Sequence, residues 1–390
     1  MWPVLLLFSI GVLISALGFI SALFFLWKLR VPAVRRDGSI SLVMPLTGAS
    51  AGLPLLMNLI EEQSLKPRRL IVVVESEADP AFAAVSALAR ECSFAIEVVV
   101  AGLSSECAQK CLNIRAGLER LDERDDAVVL LDADIQPARD WLSNLASPVL
   151  AGEYDVVSGY RWQWLAAPGL GPLLMATVDR TIALLPRPPS AVMPWGGSVA
   201  LSKKALSMAD PASWLDKTVS DDCALGLRIH ALGLTSLVRR VLLVKSPVAG
   251  SLTACWHFGR RQYQMIRIYR PGLWSFAFLL LSAKVAAWIA LFTNLPAATA
   301  AWCLALMYLF AAAGLVVQSI VARRLDLDDL TRGPGWLLVM ALLKPLADLF
   351  HLAIIAGSAG WRVVRWGHVT YSVASKFDVR VTGRKSWSGF

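Results

Sequence analysis

The sequence predicts an α/β nucleotide-binding domain inserted between membrane-spanning helices, and three observations carry that class. Apolar residues make up 56% of the 390-residue chain and charged residues only 17%, a balance too apolar for an ordinary soluble protein. The excess is concentrated in long runs towards the two ends. Between those runs, short apolar strands alternate with helical patterns, the rhythm of a doubly wound sheet.

The first element is the uncharged apolar run from Pro3 to Trp27, long enough to cross a hydrocarbon core of roughly 30 Å. A signal peptide is the competing reading. The run is too long for one, lacks a basic start and has no clean small-residue cleavage site, so an anchor over 1–30 is expected. Lys28, Arg30, Arg35 and Arg36 follow it, which places that side in the cytoplasm and the N-terminus outside. Near the other end, Leu273 to Phe292 carries only Lys284, and Ala297 to Val321 runs into Arg323 and Arg324. The break Thr293-Asn294-Leu295-Pro296 makes 273–322 a helical hairpin. The last apolar stretch, Trp336 to Gly360 (335–360), contains Lys344, Pro345, Asp348 and His351, charges that are costly at membrane depth. It reads as a span or as a re-entrant hairpin broken at Pro345, with the span slightly preferred. A basic tail over 361–390 closes the chain.

Between the anchors, 39–259 reads as the α/β domain. Strands are expected at Ser39–Pro45, Arg69–Glu75, Ala95–Val100 and Ala127–Leu131. Helical spacing covers Leu53–Gln63, Pro80–Glu91 and Glu106–Leu121. Continuous apolar strands such as Leu70-Ile71-Val72-Val73-Val74 fit a sheet buried on both faces. Ligands of such sheets sit beyond the carboxyl ends of the strands, where Glu75, Asp79 and Asp132 fall. The segment Trp162–Trp195, rich in Trp, Leu, Met and Pro, suits either an interfacial stretch or a buried helix.

The formal charge of +9 does not point to nucleic acid, because the basic residues flank apolar runs and form no stripe interleaved with aromatics. Six scattered cysteines show no zinc spacing and fit a reducing compartment, and the four histidines are too dispersed for a metal site. Asp132-Ala133-Asp134 carries chemistry more openly. Carboxylates at a strand end supply hard oxygen ligands for Mg²⁺ or Mn²⁺, the ions that neutralise a leaving diphosphate. The alternative is a simple turn, for which acids are equally suited.

A series of ordered motifs adds to this. The sequence contains Met44-Pro45-Leu46-Thr47-Gly48, then Val73-Val74-Glu75-Ser76-Glu77-Ala78-Asp79, Lys110 with Asn113, and Asp132-Ala133-Asp134. Ser158-Gly159-Tyr160-Arg161-Trp162, Trp195-Gly196-Gly197-Ser198 and Ser220-Asp221-Asp222 follow. Gln264-Met265-Ile266-Arg267-Ile268 closes the series, over 260–272. Together they resemble family-2-type GT-A glycosyltransferases, most closely the ceramide glucosyltransferase group and its bacterial lipid-glycosylating relatives. The resemblance departs at Ile268, where the group has tryptophan.

That resemblance implies a GT-A fold and an inverting transfer from a UDP-sugar to a membrane lipid. It implies Asp222 as catalytic base, with Asp221 beside it. Donor contacts would come from Pro45, Glu75, Asp79, Lys110, Asp132, Trp195, Gly196, Gly197, Gln264 and Arg267, and metal contacts from Asp132 and Asp134. Residue chemistry is compatible. A carboxylate can accept the proton of an attacking hydroxyl, and an arginine fork can hold a diphosphate. Blander roles exist for each: Asp221 and Asp222 as helix caps, Arg267 as a snorkelling anchor, Glu75 and Asp79 as loop acids.

The expectation is a multi-pass protein of the bacterial inner membrane with a cytoplasmic catalytic domain. It would move a hexose, glucose first, onto the hydroxyl of a lipid such as ceramide. Polyprenyl phosphate, a hopanoid or diacylglycerol are alternative acceptors. A processive polysaccharide synthase and an inactive membrane scaffold are the other classes. No oligomeric state follows from the sequence.

Overall fold

The computed structural model describes residues 2–32, 37–48, 51–188, 192–295 and 297–387, so Arg35, Arg36 and Pro296 lie outside the described residues. The chain opens with α1 (Trp2–Lys28), β1 (Ile40–Pro45), α2 (Leu53–Glu61), β2 (Arg69–Val74), α3 (Pro80–Leu88) and β3 (Ala95–Val100). Then come α4 (Gln109–Leu118), β4 (Ala127–Leu131), α5 (Trp141–Leu150), β5 (Val156–Trp164), α6 (Leu170–Ala183) and β6 (Ser198–Ser202). The middle is completed by α7 (Lys203–Ala209), α8 (Ala212–Leu215), α9 (Asp221–Leu232) and β7 (Ser236–Pro247). Five helices follow: α10 (Leu252–Tyr269), α11 (Pro271–Thr293), α12 (Ala298–Arg324), α13 (Pro334–Leu342) and α14 (Lys344–Gly357). The chain ends with β8 (Val363–Trp366), β9 (Val369–Ser375) and β10 (Asp378–Arg384). Two compact units result. One is α/β, from 30–161, 187–246 and 361–390. The other is helical, from Met1–Leu29, Trp162–Pro186 and Pro247–Gly360.

In the α/β unit seven strands form one sheet in the order β3-β2-β1-β4-β6-β5-β7. β1 pairs in parallel with β2 on one side and β4 on the other, and β6 runs antiparallel to β4. The chain thus leaves β1 in both directions, and the crevice at such a switch point is where ligands enter doubly wound sheets. All five residues of β4 are buried, as an apolar run must be when helices cover both faces. Asn113 on α4 donates to the carbonyl of Val73 at 3.1 Å, tying that helix to the end of β2. The four predicted strands are present. β5 to β7 had no comparable signal, because Val156–Trp164 mixes Ser, Gly, Arg and Gln into its apolar positions.

The basic tail carries three strands. β8, β9 and β10 form an antiparallel meander in which Val364, Val369, Tyr371, Val373 and Val379 are buried. Alternate burial along β9 is the period-2 signature of a half-covered strand. Hydrogen bonds bind the meander to the sheet within the same unit. Gln109 donates its backbone N–H to Tyr371 Oη at 3.0 Å, and Val381 donates its own to the carbonyl of Ser105 at 2.8 Å.

In the helical unit α1, α11 and α12 are long and apolar enough to cross a membrane. α1 packs closely at Gly11, where a Cβ would stand 2.6 Å from that of Ala287, the small-residue contact that lets apolar helices approach. α13 and α14 meet at 57°, a bend that fits either a broken span or a re-entrant loop over 335–360. Pro345, in the first turn of α14, lacks the N–H that would continue the preceding helix. The charges there are partnered. Asp348 accepts from Lys344 at 2.6 Å and from Trp288 Nε1 at 3.0 Å, and Lys284 stands 3.1 Å away. Most of α6 is buried, and it belongs to this unit rather than to the α/β domain expected over 39–259.

Candidate active site

The candidate site is built on turns at the carboxyl ends of the strands. β4 delivers Asp132, and Lys110 on α4 reaches it, with Nζ 2.8 Å from Asp132 Oδ1 and 3.4 Å from Asp221 Oδ1. Asp221 and Asp222 open α9. The loop Trp195-Gly196-Gly197 is wedged between these acids. A Cβ on Gly196 would lie 2.5 Å from Asp221 Oδ2, and one on Gly197 2.9 Å from Asp132 Oδ2. Glycine is required here by close approach. Trp195 is anchored by its backbone N–H, which donates to Ser158 Oγ at 2.8 Å.

Charge in this cluster is out of balance. Asp221 is 4% exposed and has no hydrogen-bond donor on either oxygen. Burial pushes its carboxyl up to about 6, opposed by Lys110 and reinforced by Asp222 and Asp132. Asp134 still reaches the surface, yet the loss of surrounding water and the charge of Asp132 push it up to about 6 as well. Burial works against the charge on Lys110, but Asp132, Asp221 and Asp222 together hold the ammonium above its ordinary value.

Asp222 differs from its neighbour. Its Oδ1 accepts from Ser220 Oγ at 2.5 Å and from the N–H of Cys223 at 2.7 Å. Its Oδ2 has a single long contact, from Gly196 N–H at 3.3 Å. One oxygen is therefore pinned while the other is lightly held. Burial keeps the thiols of Cys107, Cys111 and Cys223 above their ordinary range, so none of these competes as a nucleophile.

The profile of one known family matches residues 10–379, nearly the whole chain and every motif described above. The chain belongs to glycosyl transferase family 21. The broader family-2-type resemblance thus narrows to family 21, and a glycosyl transfer is the reaction. No curated protein matches the sequence significantly. Among solved structures, the chain is similar to the mannosyltransferase PcManGT from Pyrobaculum calidifontis in complex with GDP-Man and Mn²⁺. Identity is 16%, covering 91% of this chain and 99% of that one, with a TM-score of 0.49. Glucosyl-3-phosphoglycerate synthase from Mycobacterium tuberculosis, solved with Mn²⁺, UDP and phosphoglyceric acid, is 17% identical over 61% of this chain and 83% of that one, with a TM-score of 0.39. TarS 1–349 from S. aureus is 10% identical over 89% of this chain and 100% of that one, with a TM-score of 0.37. Overlaps this loose transfer no ligand and no residue role.

Other predicted residues of this family 21 enzyme have settled partners. Asp79 caps α3, accepting from Ala81 N–H at 2.9 Å and Gly48 N–H at 2.8 Å, so it fixes the loop that follows Pro45. Both oxygens of Glu75 face the tail: His368 Nε2 lies 3.0 Å from Oε1, and Arg384 donates to Oε2 at 3.0 Å. In the helical unit, Gln264 donates to the carbonyl of Gly360 at 3.0 Å. Arg267 stacks on Trp274 with its guanidinium 4.1 Å from the ring, and its buried Nε has no acceptor. Ile268, where the resemblance has tryptophan, is buried.

The sequence reading gave the tail no catalytic role, yet it lies beside these residues. Trp366 places its ring 5.8 Å from Lys110 Nζ, and Arg384 also donates to Gln109 Oε1 at 2.8 Å. A signal was present: Val369-Thr370-Tyr371-Ser372-Val373 alternates as a strand does.

Proposed function

We propose that this enzyme transfers a single hexose, glucose first, from a UDP-sugar to the hydroxyl of a membrane lipid such as ceramide, with inversion at the anomeric carbon. The observation that carries the reading is the cluster of Asp132, Asp134, Asp221 and Asp222 at the switch-point crevice, with Lys110 as its counter-ion, in a family 21 chain that also holds three spanning-length helices. Asp222 is the base. Its lightly held Oδ2 takes the proton of the attacking hydroxyl, while Oδ1 is fixed by Ser220 and Cys223. Asp221 holds Lys110 in place. Arg267 keeps an unpaired Nε for the leaving diphosphate, its plane set by Trp274.

The residues fit a divalent ion. Two carboxyls, on Asp134 and Asp221, have raised values in a cluster short of positive charge, and their hard oxygens suit Mg²⁺ or Mn²⁺. Among the described residues no three acidic, histidine or cysteine side chains form a ready cage, as expected for an ion held by one or two carboxylates plus substrate phosphates. Asp132 and Asp134 would hold it. When bound, the ion neutralises charge on the diphosphate.

The cytoplasmic side is proposed from Lys28 and Arg30 after α1. Residues 30–161 and 361–390 belong to one compact unit, so the chain between them must cross the membrane an even number of times. α11 and α12 account for two crossings. The α13–α14 pair, bent by 57°, then enters and leaves on the same side as a re-entrant element.

The test is incubation of the purified protein in nanodiscs with a panel of UDP-sugars, Mg²⁺ or Mn²⁺, and candidate lipids, read by lipid mass spectrometry. One hexose on one lipid is the expected product. A polymer would favour a processive synthase, and absence of both transfer and donor hydrolysis would overturn the enzyme reading.

A further inference from the structure

The helix that carries Lys110 does not cap itself. The N-cap position of α4 is Ala108, which has no side-chain oxygen, so the first N–H groups of the helix depend on an acceptor from elsewhere. The tail supplies one. Tyr371 Oη, 262 positions away in sequence, takes the N–H of Gln109 at 3.0 Å. Tyr371 is 2% exposed and Gln109 5%, so water is a poor substitute for that bond.

A second strand of the tail grips the same turn. Arg384 Nη2 donates to Gln109 Oε1 at 2.8 Å, to the carbonyl of Ser104 at 2.9 Å and to Ser104 Oγ at 3.0 Å, while Nη1 reaches Glu75 at the end of β2. Gln109 passes the constraint into the helix, since its Nε2 donates to Asn113 Oδ1 at 2.9 Å. The third strand reaches the lysine itself. Lys110 Nζ lies over the ring of Trp366 at 5.8 Å, inside the range of a cation–π contact. These three side chains belong together in the meander. Trp366 and Arg384 both pair with Val369, and Tyr371 stands two residues further along β9, so the pleat turns all three to one face.

We infer that the C-terminal meander is a positioning element of the active site: Tyr371 and Arg384 set the first turn of α4, and with Trp366 they hold Lys110 against Asp132 and Asp221. The inference rests on the nucleotide-sugar reading of that cluster and deepens it. A lysine displaced from these acids would leave the donor's diphosphate without its fixed cation, although none of the three tail residues need touch the reacting atoms.

The test separates positioning from folding. Full-length wild type, Tyr371→Phe, Trp366→Leu and a control, Arg380→Gln on the exposed face of β10, are compared in nanodiscs well below their melting temperatures. Backbone hydrogen exchange over 105–112 and steady-state transfer from the nucleotide-sugar are measured on each. Tyr371→Phe removes the acceptor of the Gln109 N–H. Exchange at the start of α4 should become roughly five-fold faster, and the KM for the nucleotide-sugar should rise by roughly five-fold with kcat kept, as loss of a helix cap implies. Trp366→Leu should raise the same KM by roughly two- to five-fold. Arg380→Gln should change neither quantity. Unchanged exchange in Tyr371→Phe overturns the inference. Faster exchange with an unchanged KM overturns it too, because Tyr371 would then serve the fold alone. If Tyr371→Phe fails to fold, an unaltered KM in Trp366→Leu is decisive against it. Wild type without turnover would count against the donor reading, and the exchange comparison would still decide whether the tail sets the turn that carries Lys110.

Discussion

Two clusters of buried charge in this protein have opposite balances. In the helical unit Asp348 is met by Lys284, Lys344 and Trp288, and Arg180 by Asp329, Thr331 and the carbonyl of Gln163. The charges of these two clusters have partners of their own chain, as apolar surroundings demand. In the α/β unit Asp132, Asp221 and Asp222 share Lys110, and Asp221 lies buried with no hydrogen-bond donor on either oxygen. The first arrangement closes upon itself and serves the fold. The second is left short of positive charge, which is how a site that must receive a cation and a diphosphate is built.

The largest effect expected from this contrast is on turnover. Asp222→Asn removes the lightly held oxygen that takes the proton and should lower kcat by roughly 10²–10⁴-fold, with donor binding and melting temperature retained. Near-normal hexose transfer by this variant in nanodiscs would return Asp222 to the role of a helix cap. Asp348→Asn should do the reverse. It strands buried Lys284 and half-buried Lys344 and is expected to destabilise the helical unit by about 3–5 kcal/mol, the penalty for breaking a buried pair, measured as thermal unfolding in nanodiscs. An unshifted melting curve would mean that these lysines find water.

A third test uses pH. Asp134 and Asp221 lie at about 6 in the folded protein, above the ordinary carboxylate value, so folding favours their protonated forms. Their contribution to stability is full below the ordinary value and is lost as pH rises through about 6. A bound divalent ion requires ionised ligands and reverses the trend. Metal-free protein should therefore gain stability from these groups near pH 5 relative to neutral pH, and Mn²⁺ should raise the melting temperature at neutral pH but not near pH 5. Equal Mn²⁺ shifts at both would remove the acids from the metal site. The smallest effect belongs to the tail. Arg384→Gln leaves Glu75 with His368 alone and should raise the KM for the nucleotide-sugar by about ten-fold or less, with kcat kept. A fall in kcat with unchanged KM would place the tail's role elsewhere.

The first half of the sheet was legible because Arg69–Val74 and Ala127–Leu131 are continuous apolar runs, and a run of that kind has few other places to go than a strand buried on both faces. The acids of the site were legible for a related reason: they punctuate the ends of those runs. β5 to β7 were not, since their polar residues face partners that only the assembled sheet provides. The tail was given no catalytic role, although its Val and Tyr alternation marked it as strand. Arg384 finds Glu75 across 309 positions of sequence, a pairing that no local pattern announces.

By itself the sequence determined the apolar runs, the strand ends and the acidic turns from which the candidate carboxylates were drawn, because hydrophobic periodicity and acidic turns are local properties. Only the tertiary structure decided which of those charges are neutralised. Asp348 and Asp221 are both buried aspartates; Lys344 meets Asp348 at i,i+4 spacing that the sequence shows, but Lys284 on another helix and the Lys110 that Asp221 shares with its neighbours are brought in only by packing. Partnership depends on what packing brings within about 4 Å, where Coulomb energy becomes large. That distance is set by the fold.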